Sequence, residues 1–330
     1  GAGIDKKPEK NGNPMLFNLT MYFMLAIFVL IQLAIAWRIY QYVNGIEYTG
    51  ATSTFLGMAY YTGITGAQLV GAVVSSGIFA GIGIIYGHEL AHTKGFSFLI
   101  ARWMMALSGS SHFCYAHVYN HHLELGCEND PATAPRGRSL YAHLPKSHFG
   151  QSKFLYTMEK QRLKRLGVPF LSWQNRWIRG YAMSLPTIAL FWFAGAWTGL
   201  ACMALIWLIS NFELEALNYL EHYGLIRETG SPIDYRHSWD NSTLFTSWFF
   251  IEIGRQADHH DRGETHFWEL DEVGAPNCGN GYFTLFALAL VPPLFHKYMN
   301  KQLAKWDEEE ASEGELKIAS DMNKIAGYTG

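Results

Sequence analysis

The residues most able to do chemistry here are imidazoles. The 330-residue chain carries 14 histidines, and eight of them fall in four clusters. HELAH holds His88 and His92; HVYNHH holds His117, His121 and His122; NYLEHYG holds His222; RQADHH holds His259 and His260. A spacing of four puts two rings on one helix face, one turn apart. Eight imidazoles are too many for one metal ion and suit two ions with about four nitrogens each and an open position. Imidazole suits iron, copper, nickel and zinc. Zinc does no redox chemistry, and no Cys/Met site for Cu(I) is present. An open iron pair at a membrane surface points to O2 activation. The carboxylates beside the histidines, Glu89, Asp130, Glu221 and Asp258, can orient rings through their free N–H groups. His237, in YRHSW, reads as a supporting residue of the same kind. His112, His143, His148, His266 and His296, taken singly, read as structural. HELAH also fits the HExxH zinc-hydrolase pattern, but that reading leaves the other three clusters unexplained.

The elements that must position these clusters are not those of an ordinary soluble domain. Apolar residues make up 49% and charged residues 16%, against about 25% charged in an average soluble protein. That composition excludes a disordered or fibrous chain. The net charge of −3, with no basic stripe, gives no sign of nucleic acid. Cys114, Cys127, Cys202 and Cys278 show no CxxC spacing, so neither a disulfide framework nor a zinc ribbon follows. Residues 15–37, 51–87 and 180–212 carry no charge, and a helix of ~20 apolar residues spans a bilayer. A signal peptide would have a shorter apolar region.

Lysines and arginines favour the cytoplasmic side. Most lie in 94–179 and from Arg227 onward, with Lys6, Lys7 and Lys10 before the first apolar run. The simplest solution is a single all-α membrane domain, residues 1–330, with about four spans near 15–40, 54–87, 180–196 and 199–218. The second span, one helix along 51–87, would be roughly 55 Å long and project past the bilayer. The third run turns as a hairpin near Gly195–Gly199. The histidine-rich regions, 88–179 and 219–281, then form a cytoplasmic di-metal cap, followed by a tail at 297–330. Thr243–Ile253 and Tyr282–Phe295 read as interfacial or re-entrant pieces, the second broken at Pro292–Pro293. The acidic Trp306–Glu315 reads as a solvated tail or surface helix.

With these residues in view, the chain resembles the membrane-bound non-haem di-iron hydroxylases. These are the alkane hydroxylase and xylene (alkylbenzene) monooxygenase branch of the fatty-acid-desaturase-like superfamily. HELAH, AHVYNHH, NYLEHYGL and the final DHH correspond to that family's histidine boxes. APRG, HFWEL, VPPL and the WDEEEASEGE–NKIAG tail look closer to xylene monooxygenase. The resemblance implies two iron ions, the eight histidines as ligands, and O2 as co-substrate. It implies hydroxylation of a methyl group of an alkylbenzene or alkane to a primary alcohol, in a bacterial inner membrane. Substrate would enter from the lipid, past residues such as Trp103, Phe113, Phe191 and Trp192. Electrons would come from a rubredoxin or a ferredoxin–reductase protein, docked on the cytoplasmic side near Lys160–Arg165. No flavin, nucleotide or Fe–S motif is present; GIGIIYG (Gly81–Gly87) lacks the GxGxxG spacing. Two departures stand out. The family's last box carries a histidine three residues before the HH pair, and here that position is Gln256. It binds through its amide oxygen or leaves one iron a nitrogen short. The family's two further N-terminal spans do not appear either, which reads as a trimmed form or a shorter relative.

Two other functions fit parts of the pattern. The same metal site could desaturate or oxidatively decarboxylate a fatty acyl chain, for which a buried cation or an acyl-carrier surface would speak. A metal transporter would want its ligands near the middle of the spans, whereas these cluster past their ends.

Overall fold

The computed structural model describes residues 13–55 and 57–328. Asn13 accepts hydrogen bonds from the amides of Met15 and Leu16 and opens α1 (Pro14–Val43), with Pro14 at the position where a missing amide costs nothing. α1 is apolar almost all round, and Leu16, Leu19, Phe23, Leu30, Leu33 and Trp37 are exposed along it.

The next uncharged run does not form one long helix. Its first part is an antiparallel hairpin, β1 (Thr52–Phe55) and β2 (Met58–Tyr61), pairing Thr52 with Tyr61. The span expected over 54–87 is therefore corrected. Residues 51–65 lack charge, but they are rich in threonine, serine, tyrosine and glycine, which favour strands and turns over helix. α2 (Gly66–Ala91) starts at a reciprocal cap between Thr65 and Gln68 and has 26 residues. It is about 39 Å long rather than 55 Å.

α3 (Gly95–Leu107), α4 (Phe113–Ala116), one turn of π-helix (His117–His121) and α5 (His122–Glu124) follow. α6 (Leu140–Arg165) and α7 (Arg176–Ala182) lead into α8 (Leu185–His222). α8 is two arms. Gly195 (φ −169°, ψ 25°) and Ala196 (φ 46°, ψ −123°) leave the helical region. A Cβ on Gly199 would strike the backbone carbonyl of Phe191. Eight residues of straight helix would separate the two by about 12 Å, so the chain doubles back. The hairpin foreseen near Gly195–Gly199 is present, and its tip packs on Ile39 and Val43 of α1.

Among the described residues, three helical stretches are long and apolar enough to cross a membrane: α1, α2 and 176–222, the last folded into these two arms. This is an all-α integral membrane protein with one small β-hairpin. Between spans there is no water to satisfy polar groups, so close packing and shared hydrogen bonds hold the helices. Gly77 and Gly81 of α2 face the second arm of α8. A Cβ at Gly77 would lie 2.7 Å from Cβ of Ile209, and one at Gly81 would collide with the Glu213 carboxylate. Around the end of α3, Gln32 donates to the Leu107 carbonyl (3.0 Å), Trp207 donates to the same carbonyl (2.8 Å), and Asn211 donates to that of Ser108 (2.9 Å). These bonds tie α1, α3 and α8 together.

α9 (Leu244–Phe249), α10 (Gln256–Asp261), α11 (Tyr282–Ala289), α12 (Pro292–Glu309) and α13 (Glu313–Ala326) complete the chain. The segment expected to be a solvated tail or surface helix is helical and docked by one face. Phe295, Met299, Leu303 and Trp306 form a buried stripe along α12 at helical spacing. Trp306 donates to the Arg236 carbonyl (2.7 Å), and Asp307 takes both arms of the Arg136 guanidinium at 2.6 and 2.7 Å. The acids occupy the outer face, which masks the apolar stripe in a simple charge count.

Gly77→Val should destabilise the protein by about 1–3 kcal/mol through overpacking of the α2–α8 seam. Thermal unfolding in detergent measures this; a melting temperature equal to the parent's would mean the seam is not tight.

Candidate metal centre

The four histidine clusters come from four elements that end at one place. His88 lies in the last turn of α2 and His92 caps it. His117 and His121 sit in the π turn, and His122 follows at once. His222 ends α8, and His259 and His260 lie in the last turn of α10. Asp240 steadies α10 by accepting the Ala257 amide at 2.9 Å.

Two groups of facing nitrogens result: His88, His92, His117 and His259, and His121, His222 and His260. His122 sits between them. Its Nε2 is 3.0 Å from Nε2 of His117, and its ring lies 4.3 Å from His260 and 4.6 Å from His92. The DHH doublet straddles the two groups, as neighbouring residues on a helix point about 100° apart. The π turn does more than the sequence suggested. In an α-helix, a residue five positions on points about 140° away. The wider i→i+5 turn brings His122 round to face His117, while His121 turns to the second group.

The nitrogens fit a cation better than each other. Nε2 of His117 lies 2.8 Å from that of His88, 3.1 Å from that of His92 and 3.0 Å from that of His122. A neutral ring has one N–H and one lone pair, so such a set cannot all be satisfied by hydrogen bonds. Two ligands at right angles, each about 2.1 Å from one ion, would sit about 3.0 Å apart. Both ring nitrogens of His260 and Nε2 of His222 and His259 are buried without a hydrogen-bond partner. Burial, reinforced by neighbouring rings, holds the pKa values of His92, His117, His122 and His260 well below the ordinary value and lowers His259 to about 4. The rings are thus neutral and able to bind metal near pH 7. Burial pushes the Cys114 thiol up to about 12, so it supplies no thiolate.

The carboxylates divide by role. Burial alone would raise the pKa of Asp130, but His121 and the hydrogen bonds around it hold it below the usual range. Its Oδ2 meets His121 Nδ1 at 2.7 Å and accepts from Thr133 at 2.6 Å, which fixes the ring and leaves Nε2 free. Glu89 instead accepts the Phe267 amide at 3.1 Å and meets His266 Nδ1 at 3.4 Å, anchoring the segment after the last box. Asp258 pairs with Arg262 and accepts the Asp271 amide (2.6 Å). Among the described residues, neither makes a hydrogen bond to a clustered ring. The buried Glu221 is hydrogen-bonded by the Gln256 side chain, whose amide also donates to the Ile253 carbonyl at 2.9 Å. His237 bonds Glu315 at 2.8 Å, and its backbone lies against the His222 ring. It supports the site through its main chain.

A family model, "Fatty acid desaturase", matches residues 64–288. The chain belongs to the fatty acid desaturase family. Among its relatives are an alkane 1-monooxygenase of Acinetobacter baylyi, 29% identical over 84% of this chain and 73% of that protein, and the xylene/toluene monooxygenase hydroxylase component XylM of Pseudomonas putida, 30% identical over 78% and 72%. Alkane 1-monooxygenase 2 of Alcanivorax borkumensis is 31% identical over 73% of this chain and 65% of that protein. The chain therefore spans about two thirds to three quarters of these relatives. They place it among the membrane monooxygenases of the family.

Two openings reach this end of the bundle. A polar cleft of about 510 Å³, lined by His92, His122, Lys94, Tyr115, Tyr119 and Arg176, opens on the first group. An apolar cavity of about 120 Å³ lies between α2, α8, α9 and α11, lined by residues including Ile78, Ile85, Leu220, Phe250 and Phe286. None of Trp103, Phe113, Phe191 or Trp192 lines it. Phe113 stacks on His117 at 4.8 Å; Phe191 is buried in the core shared by α1, α2 and α8; Trp192 meets Trp197 at the hairpin tip, at the opposite end of α8 from His222. An apolar span holds many aromatic rings, and type alone does not say which face a cavity will take. Of the lining residues that the sequence reading missed, Ile85 and Leu220 sit within three residues of a histidine.

Asp130→Asn should weaken retention of one of two metal ions, as loss of an outer carboxylate partner typically costs 10–100-fold in affinity. Equilibrium dialysis against a chelator reads this; unchanged retention would count against the role. The metal-free protein should also lose stability on acidification. His92, His117, His122, His259 and His260 titrate near 6.5 when unfolded but lower when folded, so the unfolded chain binds more protons below that pH. This stability is fully present above pH ~6.5 and falls toward pH 4. A melting temperature unchanged between pH 7.5 and 5 would contradict it.

Proposed function

We propose that this protein uses O2 to hydroxylate a methyl group of an alkylbenzene to a primary alcohol at an iron pair. The observation that carries the proposal is the junction of α2 and α8. The two helices end in His88 and His222 and, one turn earlier, wall an apolar cavity with Ile85 and Leu220. A site for a redox metal and a site for a hydrocarbon thus share the same two helices.

The first group, His88, His92, His117 and His259, would hold one ion. The second, His121, His222 and His260, would hold the other, with His122 between them. Gln256 supports the second group through Glu221. An iron pair bound there would supply the activation of O2 and the redox equivalents for C–H cleavage. The chain supplies the rest. Asp130 fixes His121, Phe113 shields His117 from water, and the cavity walls hold the methyl group toward the histidines. Its aromatic wall, with Phe249, Phe250, Phe283 and Phe286, suits an aromatic ring. Electrons would arrive from a separate rubredoxin or ferredoxin-type donor, for which the exposed basic end of α6 (Lys160, Lys164, Arg165) is a candidate face. The positive-inside pattern puts the histidines on the cytoplasmic side of a bacterial inner membrane.

A fatty-acyl substrate is less well served. No lysine, arginine or histidine lines the cavity to pair with an acyl carboxylate. A transporter is less well served too, because the nitrogens gather at helix ends.

Purified protein reconstituted with ferrous iron should hold about two irons per chain and convert p-xylene and O2 to 4-methylbenzyl alcohol when given a donor system. His88→Ala and His259→Ala should abolish turnover while the protein stays in the membrane. Full turnover by either variant would overturn the ligand assignment. Zinc binding alone, with no O2 consumption, would overturn the function.

A further inference from the structure

The apolar cavity contains a polar feature that hydrocarbon hydroxylation does not use. Glu213 lies on the second arm of α8, nine residues before His222, among Ile78, Ile82, Leu217, Phe249, Phe283 and Phe286. The bare backbone of Gly81 makes room for its carboxylate, which a Cβ there would strike. Among the described residues, no hydrogen bond or ion pair to its side chain is found, and no basic side chain lines the cavity. A carboxyl group without a partner in an apolar wall is costly. A ligand that donates a hydrogen bond to it would remove that cost and gain the bond.

We infer that Glu213 makes this a site for methylarenes bearing a hydrogen-bond donor, such as a phenolic hydroxyl or an aromatic amine, opposite the methyl group. The inference rests on the alkylbenzene reading above and sharpens its substrate class. Glu213 is farther along α8 from the histidines than Leu220, and Ile78 is farther along α2 than Ile85. A ring whose donor is held on Glu213 therefore directs its opposite end toward Ile85 and Leu220, and beyond them to His88 and His222. The carboxylate selects and orients; it takes no part in the oxidation.

4-Methylphenol and p-xylene form a suitable pair of probes, because hydroxyl and methyl are close in size. Binding is read by ligand-induced thermal stabilisation of the full protein in detergent, with each ligand compared between parent and variant so that its partition into micelles cancels. Glu213→Leu should weaken 4-methylphenol by about threefold to tenfold, the scale of a hydrogen bond between uncharged groups, and leave p-xylene unchanged or tighter. Glu213→Gln keeps an acceptor oxygen and should retain most of the preference. Gly81→Ala, which displaces the carboxylate, should lose it. In turnover, the ratio of 4-methylphenol to p-xylene oxidation should fall in step. Equal 4-methylphenol binding in the parent, Glu213→Leu and Gly81→Ala would overturn the inference. If Glu213→Leu does not fold, Gly81→Ala decides alone. If the binding preference depends on Glu213 but neither probe is oxidised, the donor site stands and the hydroxylase reading fails.

Discussion

The structure depends on keeping eight imidazoles dry and aimed inward. No single element can do that, because one helix face offers rings only every three or four residues. Four elements must therefore end together, and their ends must be buried. α2 delivers two rings, the π turn and its exit three, α8 one and α10 two. Burial lowers the basicity of His92, His117, His122, His259 and His260 and leaves their lone pairs able to take a cation. Lone pairs forced to face one another are a liability in the empty site, and a cation removes it.

Close approach of α2 and α8 serves both halves of the site. Gly77 and Gly81 let the two helices touch, which brings His88 and His222 to one centre. One turn further back the same helices separate enough, against α9 and α11, to leave the apolar cavity. Gly81 belongs to both arrangements: it allows the seam and accommodates the Glu213 carboxylate. The apolar cavity and the histidine cluster are therefore coupled through helix packing.

Much of this was legible in the sequence. The spacing in HELAH and the HH doublets located the rings, and the uncharged runs located α1, α2 and the α8 hairpin with its glycine turn. Asp130 was found as a partner of a clustered ring because it follows the second box closely. Other features were not legible for physical reasons. Lack of charge in 51–65 suggests helix, although strand and turn formers fill it. Acids on the outside of α12 hid the stripe of Phe295, Met299, Leu303 and Trp306. The i→i+5 turn at His117–His121 follows from packing, since nothing in HVYNHH distinguishes it from an α-helix. Glu213 was indistinguishable from other polar residues near the end of a span until Gly81 and the aromatic wall were seen around it.

The docked C-terminal helices carry a consequence for how the protein is made. Glu315, in the first turn of α13, bonds His237, whose backbone abuts the ring of His222. Arg136, in the loop after Asp130, is held by Asp307 of α12. Residues near the metal centre are thus fastened by a stretch of chain that leaves the ribosome well after the last histidine of the site. During synthesis there is an interval in which all eight rings exist but their outer supports do not. Metal loaded in that interval would meet a looser cage than the finished one, so the order of translation and metallation bears on which ion is retained.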